Sequence, residues 1–420
     1  MNVCIVASGD FFSDYGGGQV YVRNIVDELA HHSEISTSII SFNRSTKPSV
    51  LDYKGLSVYQ INNESALRDT LKQLKPDVVH ANGEKLITSR VCKQLNIPCV
   101  VTAHHGGIVC PAGTLLNTND EICQVPADYS HCLKCYLRHT PTGLLWYPLL
   151  KRISQKRYLK FGNRLKRLPF IPFISPIGET AMIVSQKLKD WQELCENVTH
   201  FIAPSNAMAE ALRRNGCPQD KISVIPHGIP TIHTSYIIHH TSYINFYYVG
   251  RINYVKGIHI LLQAFSSINN PNIELHLIGG AGNKTEQRYM KRLQQQYRKD
   301  KRIVWHGKVP FEQITALTEN FHCLVHPAIY LEAFGLTISE ALAQHKYVIS
   351  TRCGGPEMQI HNDEEGLLVK PNNPTELKDA MTQYMNSPKQ STAKVESIET
   401  HTQNLIKLFF QTHKSPVFNE

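Results

Sequence analysis

Short apolar runs alternate with amphipathic stretches along most of this 420-residue chain. The runs have the length of buried strands, and the stretches between them repeat their apolar residues with a helical period. In the first half of the chain, strands are predicted at Asn2–Ala7, Thr37–Phe42, Ser57–Ile61, Val78–His80, Pro98–Thr102, Phe201–Pro204 and Ile222–Pro226. Helices are predicted between them, notably at Val20–Ala30, Glu64–Leu74, Glu84–Leu95 and Asn206–Asn215. Such alternation is typical of a mostly parallel sheet covered on both faces.

The weakly patterned segment Pro230–Ser242 resembles a linker, and the alternation restarts after it. Further strands are predicted at Ile244–Val249, Ile273–Ile278, Ile303–Gly307, Phe321–His326 and Tyr347–Thr351. Helical patterns cover Ile258–Ile268 and Leu336–Ala343, and Gln403–Gln411 predicts a last helix that packs back on the first domain. The sequence therefore predicts two α/β domains.

Composition agrees with a globular chain, since 42% of the residues are hydrophobic and the length suffices for two domains. The chain enters an apolar strand directly after Met1, so we expect no signal peptide and a cytoplasmic protein. Most of the 11 cysteines lie inside apolar runs, as expected of free thiols. The net charge of +9 suits an anionic partner without choosing among nucleotide, phospholipid and nucleic acid.

Four cysteines lie close together in a polar loop spanning residues 110–135: Cys110, Cys123, Cys132 and Cys135. The last two form a CxxC pair, and four neighbouring thiolates can hold a structural zinc ion. However, the spacing from Cys110 to Cys123 is wider than in a usual zinc knuckle. Zinc ligation and unpaired or redox-active thiols both remain open.

Residues 138–178 are the compositional outlier, because they carry nine Lys and Arg residues and no acidic residue before Glu179. Apolar and aromatic residues accompany these charges in Gly143–Leu150 and Leu168–Ile177. This mixture favours an interfacial segment on an anionic membrane. A solvated helical hairpin and a nucleic-acid-binding segment are the alternatives. We expect a peripheral association with the inner face of the cell membrane and no nucleic-acid partner.

Polar side chains follow successive strands of the first domain. His80, Asn82, His104 and His105 all stand at predicted strand ends. Ligands of parallel sheets bind beyond the carboxyl ends of the strands. A lone histidine there is more often structural, but several together predict a binding role for at least one.

In the second domain, Glu332 precedes a predicted helix, Gly335 stands at its start, and Glu340 lies about two turns further on. The start of a helix presents unpaired N–H groups and a positive dipole end, where an anion fits. The two carboxylates can accept hydrogen bonds from ligand hydroxyls. The alternative is an ordinary βαβ unit with two surface glutamates.

Two further loops carry candidate phosphate ligands. Arg251 and Lys256 flank a strand-to-helix loop, where two cations can clamp a diphosphate. Near the amino terminus, Gly16, Gly17 and Gly18 precede an amphipathic run. They match neither the GxGxxG nor the Walker pattern, so this turn alone is weak evidence.

Taken in order, these motifs resemble the retaining glycosyltransferases of the GT-B fold, specifically glycosyltransferase family 4. The resemblance runs from Val3 to about Tyr384 and rests on Gly16-Gly17-Gly18, Thr102-Ala103-His104, Ala203-Pro204-Ser205, Ile225–Ile229, Gly250-Arg251 with Lys256-Gly257, Glu332–Ala343, Gly354–Glu357 and Glu365–Val369. It implies two Rossmann-like domains that face each other across a central cleft. We assign residues 1–228 to the acceptor-binding domain, 229–395 to the nucleotide-sugar-binding domain and 396–420 to a C-terminal helix.

The resemblance also implies roles for individual residues. Arg251 and Lys256, after Gly250, would hold the donor diphosphate, and Glu332 would bind a hydroxyl of the donor sugar. Glu340 would bind the ribose hydroxyls. The backbone amides of the motif would contact the phosphates; they belong to Phe334, Gly335 and Leu336.

On the first domain, the resemblance implies that Gly17 and Gly18 lie near the phosphates and the acceptor, and that His104 lies by the sugar. His105 stands where the family commonly has an aspartate. We therefore expect His104, Arg251, Lys256 and Glu332 to act in catalysis, with no metal and no cofactor required.

The implied activity is retaining transfer of a hexosyl group from a UDP- or GDP-sugar to a saccharide or lipid-linked acceptor, in the synthesis of a cell-surface polysaccharide or lipopolysaccharide. Two alternatives stay open. One is another GT-B enzyme of the epimerase or phosphorylase type. The other is a non-catalytic, membrane-associated subunit that binds nucleotide sugars.

Overall fold

The structure, a computed structural model, describes residues 1–12, 17–44, 47–138, 143–152, 175–231 and 243–414. Contacts divide the chain into two units. The first comprises Met1–Phe11, Leu29–Ile225 and Leu405–Glu420, and the second comprises Phe12–Glu28 and Pro226–Asn404. The domain boundaries at residues 228 and 395 stay predictions, because a grouping by contacts does not test independent folding.

The first unit is built on an eight-stranded sheet with the strand order β3-β4-β2-β1-β5-β6-β7-β8. Its strands are β1 (Asn2–Ser8), β2 (Ser36–Phe42), β3 (Ser49–Tyr53), β4 (Leu56–Ile61), β5 (Val78–Ala81), β6 (Cys99–Thr102), β7 (His200–Ala203) and β8 (Ile222–Val224). Every neighbouring pair is parallel except β3 and β4. All residues of β5 and β6 are buried, which explains their continuous apolar runs.

Seven helices precede the second sheet in the described part of the chain. They are α1 (Gly17–Leu29), α2 (Glu64–Leu74), α3 (Lys85–Leu95), α4 (Tyr129–Leu137), α5 (Gly143–Leu150), α6 (Ser175–Asn197) and α7 (Asn206–Arg214). Helices α4, α5 and α6 share small apolar clusters that include Leu133, Leu137, Leu150 and Ala181. The Cys-rich loop and the start of the basic segment thus join a helical layer of the first unit.

The sequence pattern missed β3, which is the antiparallel edge strand of the sheet. Four of its five residues are exposed and the fifth is half-buried. A strand with no buried face has no reason to alternate apolar and polar residues, so periodicity carries no signal for it.

The second unit contains a parallel six-stranded sheet with the order β11-β10-β9-β12-β13-β14. Its strands are β9 (Ile244–Val249), β10 (Ile273–Ile278), β11 (Ile303–Gly307), β12 (Cys323–His326), β13 (Tyr347–Thr351) and β14 (Leu367–Val369). The accompanying helices are α8 (Ile258–Ser266), α9 (Lys284–Gln296), α10 (Phe311–Thr318), α11 (Leu336–Ala343) and α12 (Pro374–Asn386). The last helix, α13 (Ile398–Lys414), is divided between the units, because its residues from Leu405 onward group with the first. This confirms the prediction of α/β architecture with largely parallel sheets.

All of α1 except its last residue, Leu29, groups with the second unit. A buried polar contact explains part of this grouping, because the Tyr21 hydroxyl lies 3.0 Å from Nε2 of His401 in α13. The other ring nitrogen of His401 lies 2.6 Å from the carbonyl oxygen of Pro226. These contacts join both segments of the second unit, Phe12–Glu28 and Pro226–Asn404.

Among the described residues, no helix combines the length and the apolar character needed to cross a bilayer. Most of the predicted basic segment, residues 139–142 and 153–174, lies outside the described residues. The predicted linker at residues 232–242 and Gly16 lie outside them as well.

Candidate functional site

Two loops of the second unit run side by side although they are far apart in sequence. One follows β9 and carries Lys256, and the other follows β12 and carries Glu332. The Ile329 N–H donates to the carbonyl of Val255 at 2.9 Å, which joins the loops directly. Gly257, with a φ of 71°, packs so closely against Pro327 that an added Cβ would collide with the Pro327 carbonyl oxygen.

The loops meet in a buried ion pair. The ammonium of Lys256 lies 2.5 Å from Oε2 of Glu332, with side-chain exposures of 18% and 12%. The Tyr330 hydroxyl donates to the same oxygen at 2.9 Å, and the Tyr330 ring lies 5.2 Å from Nζ. No described residue donates to Oε1 of Glu332. One oxygen is thus occupied by the protein and the other is open to a ligand.

Electrostatics favour the charged form of both partners. Burial alone would raise the pKa of Glu332, but Lys256 outweighs burial and holds that pKa well below its usual range. Burial alone would lower the pKa of Lys256, but Glu332 raises it well above the usual value. The pair is therefore fully ionised at neutral pH.

His326, at the end of β12, is a third neighbour of Glu332. Its Nε2 lies 3.4 Å from Oε2 of Glu332 without hydrogen-bond geometry, and its Nδ1 lies 3.3 Å from the Ser350 hydroxyl. Burial lowers the pKa of His326, so the ring is neutral at pH 7. It therefore adds no charge to the pair.

The start of α11 is shaped to receive an anion. Gly335 stands at its N-cap with a φ of 92°, and no side chain caps the helix. Gln359 braces the turn, since its amide donates to the Phe334 carbonyl at 2.7 Å and its oxygen accepts from Ser339 at 2.6 Å. The first N–H groups of α11 therefore point outward from a rigid turn.

Glu340 lies on α11 and is partly exposed. Burial raises the pKa of Glu340 to about 7. No described residue makes a hydrogen bond or ion pair with its carboxylate. A carboxyl group that is desolvated but has no protein partner is ready to accept hydroxyl hydrogen bonds from a ligand.

Arg251 differs from Lys256, although the sequence predicts a shared role. Its side chain is 67% exposed, and Nη1 lies 3.9 Å from Oε1 of Glu286 in α9. Glu286 also accepts from Gly282 N–H at 2.6 Å and from the Asn253 amide at 3.3 Å. Arg251 is thus free to move toward an anion, while Glu286 holds the surrounding loops.

The remaining residues that the sequence predicts to bind the nucleotide sugar are Gly17, Gly18, Gly250, Phe334 and Leu336. A Cβ on Gly17 would lie 3.4 Å from Leu336, the first residue of α11, within the same unit. A Cβ on Gly18 would meet nothing within 4 Å. Phe334 is buried, with its ring 5.2 Å from that of His227. Gly250 adopts a φ of 148° just before Arg251.

His104 belongs to the first unit. Its Nε2 lies 2.8 Å from Oδ1 of Asn82, so the ends of β5 and β6 are joined there. His80 is buried with Nε2 2.7 Å from the Thr102 hydroxyl, and His105 accepts from the N–H of Gly107 at 3.0 Å. Of the three histidines, His80 and His105 have structural contacts, and His104 is partly exposed at the strand ends.

The four cysteines of the loop do not come together as one metal-binding group. Cys123 and Cys135 lie 3.5 and 3.9 Å from Nε2 of His131. Nevertheless, no group of three or more His, Cys, Asp or Glu side chains in the described residues could hold a metal ion. Burial raises the pKa of Cys135 to about 11, so this thiol is protonated at neutral pH. The alternative of unpaired thiols agrees with the structure, since all eleven cysteines are free.

The sequence analysis missed Tyr330, His326 and Glu286. Tyr330 stands two residues before Glu332 in an extended segment, where both side chains can point to one side. That spacing was the available signal for Tyr330. The partner of Glu286 lies 35 positions earlier, so no local pattern identifies it.

Comparison with known families agrees with this architecture. Residues 238–400 match the model described as "Glycosyl transferases group 1", and residues 180–233 match that of "Glycosyltransferase Family 4". Together these matches span just over half of the chain.

A Caenorhabditis elegans protein named GDP-Man:Man(3)GlcNAc(2)-PP-Dol alpha-1,2-mannosyltransferase is 28% identical over 29% of this chain and 27% of its own length. A Methanocaldococcus jannaschii glycosyltransferase is 24% identical over 51% of this chain and 60% of its own. The chain thus spans less than two thirds of the length of these curated relatives.

Solved structures extend the similarity over the whole chain. Anabaena Alr3699/HepE in complex with UDP and glucose matches with a TM-score of 0.66 at 16% identity, over 97% of this chain and 99% of that one. At this identity the likeness shows the fold, two Rossmann-like domains of the GT-B type. By its two family matches and by this fold, the chain belongs to the group 1 glycosyltransferases of family 4.

Proposed function

We propose that the protein transfers a hexosyl group from a UDP- or GDP-sugar to a saccharide or lipid-linked acceptor, with retention of anomeric configuration. The observation that carries the proposal is the arrangement in the second unit. Lys256 and Glu332 form a buried pair beside the uncapped start of α11, and Glu340 has a desolvated carboxyl on that helix. Cations, N–H donors and carboxylate acceptors are the groups that a nucleotide sugar requires.

Each of these protein groups is proposed to bind a different part of the nucleotide sugar. Lys256 and Arg251 hold the diphosphate together with the first N–H groups of α11, near Phe334, Gly335 and Leu336. Oε1 of Glu332 accepts a hydroxyl of the sugar, and Glu340 accepts the ribose hydroxyls. The GDP-mannose in the name of the Caenorhabditis elegans relative and the UDP in the Anabaena complex support the choice of donors.

Catalysis follows from stabilising the leaving group. The glycosyl–phosphate bond breaks through an oxocarbenium-like state, and negative charge develops on the departing diphosphate. Preorganised donors aimed at developing charge contribute about 3–4 kcal/mol each in other enzymes. The acceptor hydroxyl attacks from the face that the diphosphate leaves, and a phosphate oxygen takes its proton. Since protein cations neutralise the diphosphate, we propose that no metal or cofactor takes part.

His104 is proposed to contribute at the acceptor side. Its ring is held by Asn82 at the carboxyl ends of β5 and β6, where ligands of parallel sheets bind. Within the first unit this position suits a contact with a saccharide hydroxyl.

Calorimetric titration with UDP and GDP tests the donor site. We expect one of the two to bind, Glu340→Ala to weaken that binding, and Glu332→Ala to leave nucleotide binding intact while turnover of the nucleotide sugar falls. Glu312→Ala, an exposed change on α10, is the matched control. If neither nucleotide binds the parent protein, the transferase proposal fails. Binding without transfer or hydrolysis of any nucleotide sugar would favour the non-catalytic subunit instead.

Omitting and restoring divalent metal tests the proposal that none is needed. The protein is treated with EDTA, and turnover of the nucleotide sugar is then measured with and without added Mg²⁺. We expect the two rates to agree. Loss of turnover that Mg²⁺ restores would contradict metal independence.

We further propose that the protein works at the cytoplasmic face of a membrane, in the assembly of a surface polysaccharide or lipopolysaccharide. Helix α5 supports this, because Leu144, Leu145 and Leu149 are 49%, 79% and 55% exposed. Lys151 and Arg152, which follow it, are exposed as well. An exposed apolar face beside cations fits the headgroup region of an anionic bilayer.

Sedimentation with liposomes tests the membrane proposal. We expect binding to vesicles that contain phosphatidylglycerol, and a loss of binding for Leu145→Ser and for a double change of Lys151 and Arg152 to Gln. Leu51→Ser, at an exposed leucine on β3, is the control. Equal sedimentation of all variants would exclude α5 as the contact.

A further inference from the structure

The carboxyl ends of β5 and β6 carry several side chains that can donate hydrogen bonds. Both strands lie in the middle of the eight-stranded sheet of the first unit. Asn82 directly follows β5, Lys85 is the first residue of α3, and His104 follows β6. Ligands of parallel sheets bind at this edge.

Lys85 is a partly buried cation that forms no direct ion pair with a described residue. Its Nζ donates to the Asn82 carbonyl at 2.7 Å, and no carboxylate of the described residues lies within ion-pair distance. The neighbouring Glu84 is engaged elsewhere, with its carboxylate 3.2 Å from Arg44. Burial lowers the pKa of Lys85 to about 8. The charge of Glu84 offsets only part of this effect, so the ammonium is desolvated more than it is stabilised by the protein and would gain from a bound anion.

Two further donors lie beside this ammonium. Asn82 is only 4% exposed, and its Nδ2 has no hydrogen-bond partner, while its Oδ1 lies 2.8 Å from His104. The N-cap residue of α3, Glu84, has a φ of 41° and makes no side-chain cap. The first turn of α3 therefore offers free N–H groups and a positive dipole end. An ammonium, an amide N–H and a helix start can all donate hydrogen bonds to one anion.

We propose that Lys85, Asn82 and the first turn of α3 bind an oxyanion, such as a phosphate or a carboxylate, carried by the acceptor substrate. This rests on the proposed transferase function. The site lies in the first unit, whereas Lys256, Glu332 and Glu340, which are proposed to bind the donor, lie in the second. With the oxyanion seated there, the acceptor extends along the strand ends toward His104. The acceptor is therefore an anionic saccharide or a phosphate-linked one rather than a neutral sugar.

Phosphate-dependent stability tests the site, with inorganic phosphate as the probe at constant ionic strength. Urea unfolding is measured for the parent, Lys85→Met, Lys85→Gln and the control Lys93→Met, an exposed change on the same helix. Phosphate should stabilise the parent and the control by the linkage of binding to folding. Its apparent affinity should fall roughly tenfold or more in both Lys85 variants, the effect of losing one charged hydrogen bond. An unchanged response to phosphate in both variants would overturn the proposal.

Stability without phosphate separates a ligand role from a structural one. If Lys85 serves a ligand, Lys85→Met removes an uncompensated cation, and the variant is at least as stable as the parent. A clear loss of stability in phosphate-free buffer, together with an unchanged phosphate response, would show that Lys85 is structural.

Nucleotide titration separates the acceptor from the donor as the source of the anion. Affinity for the preferred nucleotide, UDP or GDP, should be the same in the parent and in Lys85→Met. A parallel loss of nucleotide affinity would assign the site to the donor and overturn the acceptor assignment. If the parent binds no nucleotide, the transferase proposal fails, whereas the phosphate titration still reports on the Lys85 site.

Discussion

Removing the charge of Lys256 should cost the second unit much more stability than removing the whole ion pair. In Lys256→Met, the Glu332 carboxylate stays at 12% exposure with the Tyr330 hydroxyl as its remaining donor. Breaking one side of a buried pair typically costs about 3–5 kcal/mol. Because Tyr330 still donates to Oε2, we expect a value near the lower end, about 3 kcal/mol. The double variant Lys256→Met/Glu332→Gln buries no charge and should cost about 1 kcal/mol or less.

The assay is a double-mutant cycle in urea at pH 7. Hydrogen exchange of β9 and β12 peptides, followed by mass spectrometry, reports the unfolding of this sheet specifically. The coupling free energy between the two positions should be about 2 kcal/mol or more. Replacing Lys301, an exposed residue before β11, by Met serves as the control for loss of a surface charge.

The pH dependence supplies an independent check. The pKa of Glu332 is lowered in the fold, so its contribution to stability is present above the unfolded value of 4.5 and is lost as acid protonates the folded carboxylate. In Lys256→Met, burial is no longer offset by the ammonium, and the pKa of Glu332 should rise. Stability of that variant should then fall as pH rises from about 5 to 7, a range over which the Glu332 contribution in the parent is constant. A cost below 1 kcal/mol with an unchanged pH profile would refute the account of the pair.

Three further predictions concern single side chains. Tyr330→Phe removes one hydrogen-bond donor from Glu332 and should lower kcat/KM for the nucleotide sugar about tenfold, while affinity for the free nucleotide stays unchanged. An equal loss of kcat/KM and of nucleotide affinity would contradict a role through Glu332. Nucleotide affinity should rise between pH 6 and pH 8 as Glu340 ionises, because burial raises its pKa to about 7, and the rise should vanish in Glu340→Gln. Lys346→Met should cost about 3 kcal/mol in urea unfolding, since the buried amino group donates to three carbonyls at the end of α10 and just after it, those of Thr318, Glu319 and Phe321. A loss below 1 kcal/mol would show that water replaces the amino group.

The local pattern of apolar and polar residues was sufficient to predict much of the fold. The apolar runs of β1, β5 and β12 lie on central, fully covered strands, so burial imposes a continuous signal on them. The same logic fails for β3, whose exposed residues face no core. The positions of Glu332 before α11 and of Glu340 within it could also be predicted from the sequence, because both belong to one strand–loop–helix unit.

Contacts between segments that are far apart in the chain could not be predicted from the sequence. The pairing of Lys256 with Glu332 joins positions 76 residues apart, and it depends on the close approach of the loops after β9 and β12. The sequence suggested that Arg251 and Lys256 act together, yet one side chain is exposed beside Glu286 and the other is buried against Glu332. Likewise, only the fold shows that Lys85 is partly buried at the strand ends and forms no direct ion pair with a described residue.

The sequence alone therefore determined the fold class, the order of the motifs and the two glutamates at the start of α11. These are local properties, since periodicity and helix starts depend on neighbouring residues. Tertiary structure decided which oxygen of Glu332 is occupied, which cation is buried and which carboxyl group has a raised pKa. Such features depend on desolvation and on distances of a few ångströms between loops, and neither is encoded in spacing along the chain.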